Sequence, residues 1–342
     1  MEGYMLRPFP RVIAVVPAHN EEEYIGDCLQ SLLLQTRPPD RILVVLDNCT
    51  DETELRLWRY PVHAMETVGN TAKEAGALNQ ALPYCKDYDY ILEVDADSVL
   101  DRHFLQRALL IMEEDPTIGG VSGREGLRPY HGLSLSQRLL LAVVRYQRYL
   151  WDTMRMERPQ DTMVIVGPAG LLRTRAVLQI GGWDNDSLTE DNALSLDLRL
   201  AGWRTVLGVG CYVYSDTPLD LEGLWRQRVR WGRGFQDYFR RPWRKGTWRG
   251  KVLFLYQWFI TAWVGMSAAV TAIHWQNLNP LWAIPIVLLY LDRLTRMRLF
   301  PERHLSDFLL ALPIGEWALF IFTQAANLAA IAQFLLRKQR SW

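Results

Sequence analysis

The sequence predicts an α/β protein in which a mostly parallel sheet with helices on its faces is followed by a small α-helical membrane domain. Three observations carry that expectation. Between residues 11 and 100, short β-branched runs alternate with helical stretches, the order of βαβ units. Each of the main apolar runs ends in polar or acidic residues. From about Leu221 the composition turns basic and aromatic, then apolar.

The elements follow in order. RVIAVVPA (11–18) reads as a strand, EEEYIGDCLQSLLLQ (21–35) as a helix and RILVVLD (41–47) as a second strand. A helix from about Thr50, a helical TAKEAGALNQAL (71–82) and a strand YILEVDAD (90–97) continue the pattern. Leu133 to Arg158 reads as an amphipathic helix edged with Arg; packing on the core and resting on a membrane surface both suit it. MVIVGPAGLLRTRAVLQIGGW (163–183) gives a strand, a Gly-Pro turn and a helix. LTEDNALSLDLRLAGW (188–203) gives another helix, whose acidic first turn suits the helix dipole.

These signals divide the 342 residues into a catalytic-looking α/β domain (1–220), a basic and aromatic neck (221–251) and a membrane domain (252–342) with two to three transmembrane or re-entrant helices. The run 252–275 has no charged residue and is long enough to span a bilayer. Arg, Lys and Trp crowd residues 225–251 just before it, which fits a cytoplasmic flank. The run 280–291 is shorter, and 308–336 is interrupted by Pro313, Gly315, Glu316, Gln324 and Asn327, so a re-entrant or interfacial hairpin suits it as well as a span. The expected location is the inner cell membrane, multi-pass, with the α/β domain in the cytoplasm.

Composition excludes several classes. Lys plus Arg and Asp plus Glu balance at 38 each, so no global field recruits nucleic acid. The four cysteines show no C-x-x-C spacing, which argues against a zinc site or a disulfide framework. No G-x-x-x-x-G-K-[ST] or G-x-G-x-x-G occurs, which disfavours an ATPase or a dehydrogenase.

In parallel sheets the ligand sits beyond the carboxyl ends of the strands. There the sequence places Pro17 to Glu22, Asp47 to Asp51, and Asp95 to Asp97. Asp95 and Asp97 are two residues apart, and on strand alternation both carboxylates face one ligand. Such a pair needs a cation, and Mg²⁺ or Mn²⁺ with oxygen ligands is the natural guest; solvated loop aspartates are the plain alternative. Asp47 adds a carboxylate to the same sheet edge, so a phosphate ligand has to arrive with its metal. Asp51 and Thr53 are placed to cap the next helix. Asp191 in T-E-D, beside Glu190, can act as a general base or simply serve the helix dipole. In QRVRW (227–231), Gln227, Arg230 and Trp231 share a helical face suited to a pyrophosphate and a sugar ring, although a membrane flank also explains the Arg and Trp.

Taken in order, VVPAHNEE (15–22), LDNCTDET (46–53), AGALNQAL (75–82), DAD (95–97), VGPAGLLRTRAVLQIGGW (166–183), TED (189–191) and QRVRW (227–231) resemble the family 2 glycosyltransferases. These are inverting enzymes of GT-A fold, and the similarity is to the membrane branch that includes cellulose, chitin and hyaluronan synthases. The resemblance implies Mn²⁺ or Mg²⁺ on Asp95 and Asp97, and a UDP-sugar donor contacted by Ala18, Asn20, Glu22, Asp47, Asp95, Gln227 and Arg230. It further implies Asp191, with Glu190 and Arg230, at the chemistry, and Gly167, Thr189 and Trp231 at the acceptor. The family usually has Lys directly before A-G-A-L-N, where this chain has Glu74, with Lys73 one residue earlier.

The implied reaction moves a sugar to a hydroxyl of a growing polysaccharide or lipid-linked glycan at a lipid bilayer, in a monomer or homo-oligomer without nucleic acid. Rival readings are a single-sugar transferase acting on a polyprenyl phosphate, lipid or protein, a nucleotidyltransferase, and a non-catalytic scaffold.

Overall fold

The structure is a computed structural model that describes residues 10–244, 291, 295 and 313–336. The chain divides into two compact units, one of Met1–Pro129 with Met154–Asp216 and one of Tyr130–Thr153 with Thr217–Trp342.

The first unit is built on one sheet. Its strands are β1 (Val12–Ala18), β2 (Arg41–Leu46), β3 (His63–Glu66), β4 (Tyr90–Val94), β5 (Val99–Leu100), β6 (Ile118–Leu127), β7 (Ala169–Arg173) and β8 (Arg204–Ser215). They lie in the order β3-β2-β1-β4-β7-β6-β8-β5. The expectation of a mostly parallel sheet holds for β3, β2, β1 and β4, which run parallel. Beyond β4 the sheet is mixed: β7 runs antiparallel to both β4 and β6, β8 is parallel to β6, and β5 is antiparallel to β8. No βαβ crossover joins β4 to β7, so nothing obliges them to be parallel.

Strand alternation sorts the core into two layers. Val12, Ala14, Val16, Tyr90, Leu92 and Val94 point to one face, where α1 (Ile25–Leu33) and α4 (Phe104–Glu114) pack through Leu29, Leu32, Phe104 and Leu105. Ile13, Val15 and Ile91 point to the other, against α3 (Lys73–Cys85), α6 (Thr174–Ile180) and α7 (Glu190–Leu200). Glu93 shares the parity of Ile91 and is buried on that second face.

Three local expectations change. The helix after β2 is α2 (Thr53–Leu57), because Thr50 and Asp51 belong to a loop tied to the end of β1. The strand expected at Met163–Val166 lies after the Gly-Pro pair, as β7. Ile165 and Val166 instead give their N–H groups to the hydroxyls of Ser195 and Ser122. Asp95 to Asp97 do not extend β4: Ser98 N–H bonds to the Asp95 carbonyl at 3.0 Å, closing a turn.

Helix α5 (Leu135–Met156) buries Val144, Tyr146 and Tyr149, yet leaves Leu135, Leu139, Trp151 and Met154 exposed. In the second unit α8 (Leu221–Arg244) packs on α9 (Pro313–Leu335), where Gly232 lets the helices approach: a Cβ there would lie 2.8 Å from that of Ala330. The interruptions anticipated within 308–336 do not break α9. None of the described helices is long and apolar enough to cross a membrane, and the runs 252–275 and 280–290 lie outside the described residues.

Gly123 on β6 allows close packing in the first core layer. A Cβ there would lie 2.9 Å from the Ala169 carbonyl oxygen, 2.9 Å from Val213 and 3.1 Å from Phe104. Gly123→Ala should therefore destabilise the protein by about 1–3 kcal/mol, the usual cost of overpacking, read as a lower urea midpoint with unchanged m-value. An unchanged midpoint would show that the sheet yields at no cost.

Candidate active site

The carboxyl ends of β1, β2 and β4 lie side by side and carry the loops singled out in the sequence. Asp47 follows β2 and is buried. Its Oδ1 accepts three hydrogen bonds, from Thr67 Oγ1 (2.7 Å), Asn70 Nδ2 (2.8 Å) and Asn48 Nδ2 (2.9 Å). The carboxylate is thus held by one oxygen in a fixed orientation. Its backbone N–H bonds to Ala18.

The loops after β1 and β2 are stitched together by side chains. Asn20 Oδ1 accepts from Thr50 N–H at 2.7 Å, Glu22 Oε2 from Glu52 N–H at 2.9 Å, and Asp51 Oδ2 from Glu22 N–H at 3.1 Å. Asn20 and Glu22 therefore shape the loop pair. Asn20, Asn48 and Lys73 all adopt positive φ, at 58°, 51° and 57°. Such strain concentrates where a fold serves a ligand.

The turn after β4 sends its two aspartates to different neighbours. Asp97 accepts from Ser98 Oγ at 3.1 Å and faces Glu21, while its carbonyl accepts from Arg128, which also pairs with Asp27. Burial pushes Glu21 up to about 7, with repulsion from Asp97, Asp51 and Asp216 added. Asp95 faces α3 and α7. Burial holds its carboxyl well above the usual range, and Asp97, Glu190 and Asp191 push the same way, while a hydrogen bond with Glu74 opposes them. Glu74 and Glu93 are raised for the same reason, burial first and then the same acidic neighbours.

Gly167 sits beside two carboxylates, those of Asp95 and Asp191. A Cβ at that position would lie 3.7 Å from Asp95 Oδ2 and 3.7 Å from Asp191 Oδ2. The other Asp191 oxygen accepts Asn192 N–H at 2.7 Å in the first turn of α7. Thr189, just before that turn, is buried. Glu190 repels Glu74, Glu93 and Asp95. So Asp95, Gly167, Glu190 and Asp191 come together, and Asp47 stands at the end of β2, with β1 between it and β4.

A hard cation suits this chemistry. The carboxylates repel one another, and Glu74 Oε1 is buried without a donor. Among the described residues no three His, Cys, Asp or Glu side chains converge as a ready-made ligand set.

In the second unit Gln227, Arg230 and Trp231 lie on α8. The Arg228 guanidinium stands 4.3 Å over the Trp231 ring and donates to Gln227 Oε1 at 2.9 Å and Gln147 Oε1 at 2.7 Å. Arg228 thus covers one face of the indole.

Sequence reasoning missed Thr67, Asn70, Glu93 and Arg128, and included Glu21 only as part of the stretch Pro17 to Glu22; among the missed residues Glu93 left a signal, a charge inside the apolar run YILEV.

Residues 10–234 match the family described as "Glycosyltransferase like family 2". The chain is 28% identical over 235 residues to the poly-β-1,6-N-acetyl-D-glucosamine synthase of Staphylococcus aureus, covering 66% of this chain and 55% of that one. The synthase of that name from Staphylococcus epidermidis is 26% identical over 256 residues, 69% of this chain and 60% of that one. The chain therefore spans a little over half the length of these curated relatives. Among solved structures, the mannosyltransferase PcManGT from Pyrobaculum calidifontis, in complex with GDP-Man and Mn²⁺, superposes with a TM-score of 0.62 at 20% identity, over 96% of this chain and 88% of that one. S. aureus TarS 1-349 in complex with UDP-GlcNAc gives 0.50 at 16% identity, over 97% and 93%. At these identities the likeness is one of fold, the mixed α/β sheet of the GT-A type. With about two thirds of its length in the matched domain, the chain belongs to glycosyltransferase family 2 and is a glycosyltransferase.

Proposed function

We propose that the protein is a membrane-bound inverting hexosyltransferase that moves a sugar from a UDP-sugar to a hydroxyl of a growing polysaccharide or lipid-linked glycan. The observation that carries the reading is the pair of carboxylates flanking Gly167, one following β4 and one in the first turn of α7. Asp191 takes the proton of the acceptor hydroxyl as its oxygen bonds to the anomeric carbon, and the bond from that carbon to the diphosphate breaks with inversion. No enzyme nucleophile is needed, and the absence of a side chain at Gly167 keeps the space beside both carboxylates open, since a Cβ there would touch each at 3.7 Å. Asp47, oriented by Thr67, Asn48 and Asn70, accepts from the nucleoside. Asp95 and Asp97 would hold Mn²⁺ or Mg²⁺, which supplies positive charge to the departing diphosphate. Gln227 and Arg230 at the diphosphate and Trp231 at the acceptor rest on the QRVRW motif. The homo-oligomer reading stands on the family resemblance alone.

Membrane attachment is supported by the charge-free run 252–275 behind its basic and Trp-rich flank, and by the four large apolar residues that α5 leaves exposed. The catalytic unit then faces the cytoplasm.

Asp191→Asn should lower transfer by about 10²–10⁴-fold while UDP-sugar binding persists, measured by UDP release and by calorimetry. Turnover at the wild-type rate would remove Asp191 from the chemistry. Screening UDP-, GDP- and dTDP-sugars with Mn²⁺ tests the donor, product length separates polymer from single transfer, and release of pyrophosphate in place of UDP would favour nucleotidyl transfer. Thr67→Val removes one of three bonds orienting Asp47 and should raise the donor KM roughly tenfold with little change in kcat.

Proton affinity gives a pH signature. Glu21, raised from 4.5 to about 7, binds more protons folded than unfolded between those values, so its contribution to the stability of the cation-free protein is lost as pH rises through about 7. A cation held by Asp95 and Asp97 would compete through its charge with the proton on Glu21. Mn²⁺ affinity should therefore rise between about pH 6 and about pH 8, with proton release on binding seen by calorimetry in two buffers. A pH-independent affinity would place the cation elsewhere.

A further inference from the structure

Asn79, Glu93 and Trp183 form a connected group that the proposed chemistry does not use. Asn79, on α3, grips the backbone of Trp183 from both sides. Its Nδ2 donates to the Trp183 carbonyl at 2.7 Å and its Oδ1 accepts Trp183 N–H at 2.9 Å. The same Nδ2 donates to Asn185 Oδ1 at 2.8 Å. The grip depends on the two glycines before the tryptophan. Gly181 and Gly182 have φ of 86° and 89°, and a Cβ on Gly182 would lie 2.3 Å from Asn79 Oδ1. The indole Nε1–H donates to both oxygens of Glu93, at 3.2 and 3.3 Å, and Trp183 is only 4% exposed.

The placement of this group is informative. Glu93 lies on β4 two residues before Asp95, near enough to be repelled by it. It is near enough to Glu190 and Asp191 to be repelled by both. The Trp183 ring belongs to the same apolar cluster as Leu194 and Leu198 of α7, one and two turns beyond Asp191 on one helical face, and as Ala75, Ala77 and Leu78 of α3. Six residues, 184–189, join Trp183 to the start of α7. If stability alone were at stake, an apolar side chain at position 93 would serve better than a buried carboxyl.

We infer that Trp183, held by Asn79 and Glu93, is a positioning residue that fixes the first turn of α7, and so the Asp191 carboxylate, relative to Asp95. The inference rests on reading Asp191 as the base. Indole orientation is set by the Glu93 bond and backbone position by Asn79, so the helix bearing the base is registered on the strand bearing the donor site.

Trp183→Phe keeps an aromatic ring and removes the N–H. Glu93→Met keeps the volume and removes the acceptor. Each should lower kcat roughly 10–10²-fold with donor KM and donor affinity unchanged, because displacing a reacting group by about 1 Å has that effect. UDP release without sugar transfer should rise relative to transfer. The double variant should be no worse than either single one, and Glu93→Gln, which retains an acceptor oxygen, should restore most of kcat. Wild-type kcat in Glu93→Met or Trp183→Phe overturns the inference. So does a fall in kcat matched by an equal loss of donor affinity, or failure of both variants to fold, since either assigns the group to stability alone. Asp191→Asn separates the two readings. If it transfers normally the base assignment fails, and if it is inactive while Trp183→Phe keeps its kcat only the positioning role fails.

Discussion

At the end of β4 the chain turns, and Asp95 comes to rest near Glu74, Glu190 and Asp191, with Glu93 two residues behind it in the strand. Carboxyl groups gathered in a poorly hydrated place repel one another, and the repulsion is relieved by protons or by a cation. A protein that retains such an arrangement accepts a cost in stability, and the cost becomes intelligible under the proposed reading, in which a metal-bound diphosphate would complete the site. Much of the first unit follows from this constraint. The sheet brings β4 beside β1, α3 supplies Glu74, and α7 supplies Glu190 and Asp191 from its first turn.

Around that acidic centre the surrounding loops are unusually committed to one conformation. The ends of β1 and β2 are joined through Asn20, Glu22 and Asp51, and Asp47 is fixed by three donors on one oxygen. Positive φ at Asn20, Asn48 and Lys73 is sustained by these bonds and by the helices behind them. Orientation established before the substrate arrives lowers the entropy lost at the transition state. At Gly167 a Cβ would stand in van der Waals contact with both Asp95 and Asp191, 3.7 Å from each.

Family membership accounts for the order of the motifs, while the structure accounts for their chemistry in physical terms. A-G-A-L-N and G-G-W, far apart in the chain, are two halves of one bracket made by Asn79 and Trp183. The acidic pair D-A-D divides its attention, Asp95 turning to α3 and α7 and Asp97 to Glu21. In the second unit Arg228 lies against Trp231, so the indole of QRVRW presents a surface already half occupied by a cation.

The sequence by itself determined the alternation of strands and helices, the sheet edge on which the acids gather, and the family. Those features are local: β-branched runs of period two, acidic residues directly after them, and short motifs in fixed order. Glu93 was legible as a charge in YILEV, though its partner was not, because Trp183 lies ninety residues away. Thr67 and Asn70 left no local trace, being ordinary loop residues until folding brings them to Asp47. Strand direction beyond β4 was likewise decided only in three dimensions, since pairing depends on which edges meet and the hydrophobic pattern of a buried strand is the same whichever way it runs. The Asp95–Asp97 turn replaced the expected strand alternation because the Asp95 carbonyl found Ser98 within hydrogen-bonding reach, a contact between neighbours whose geometry the surrounding fold selects.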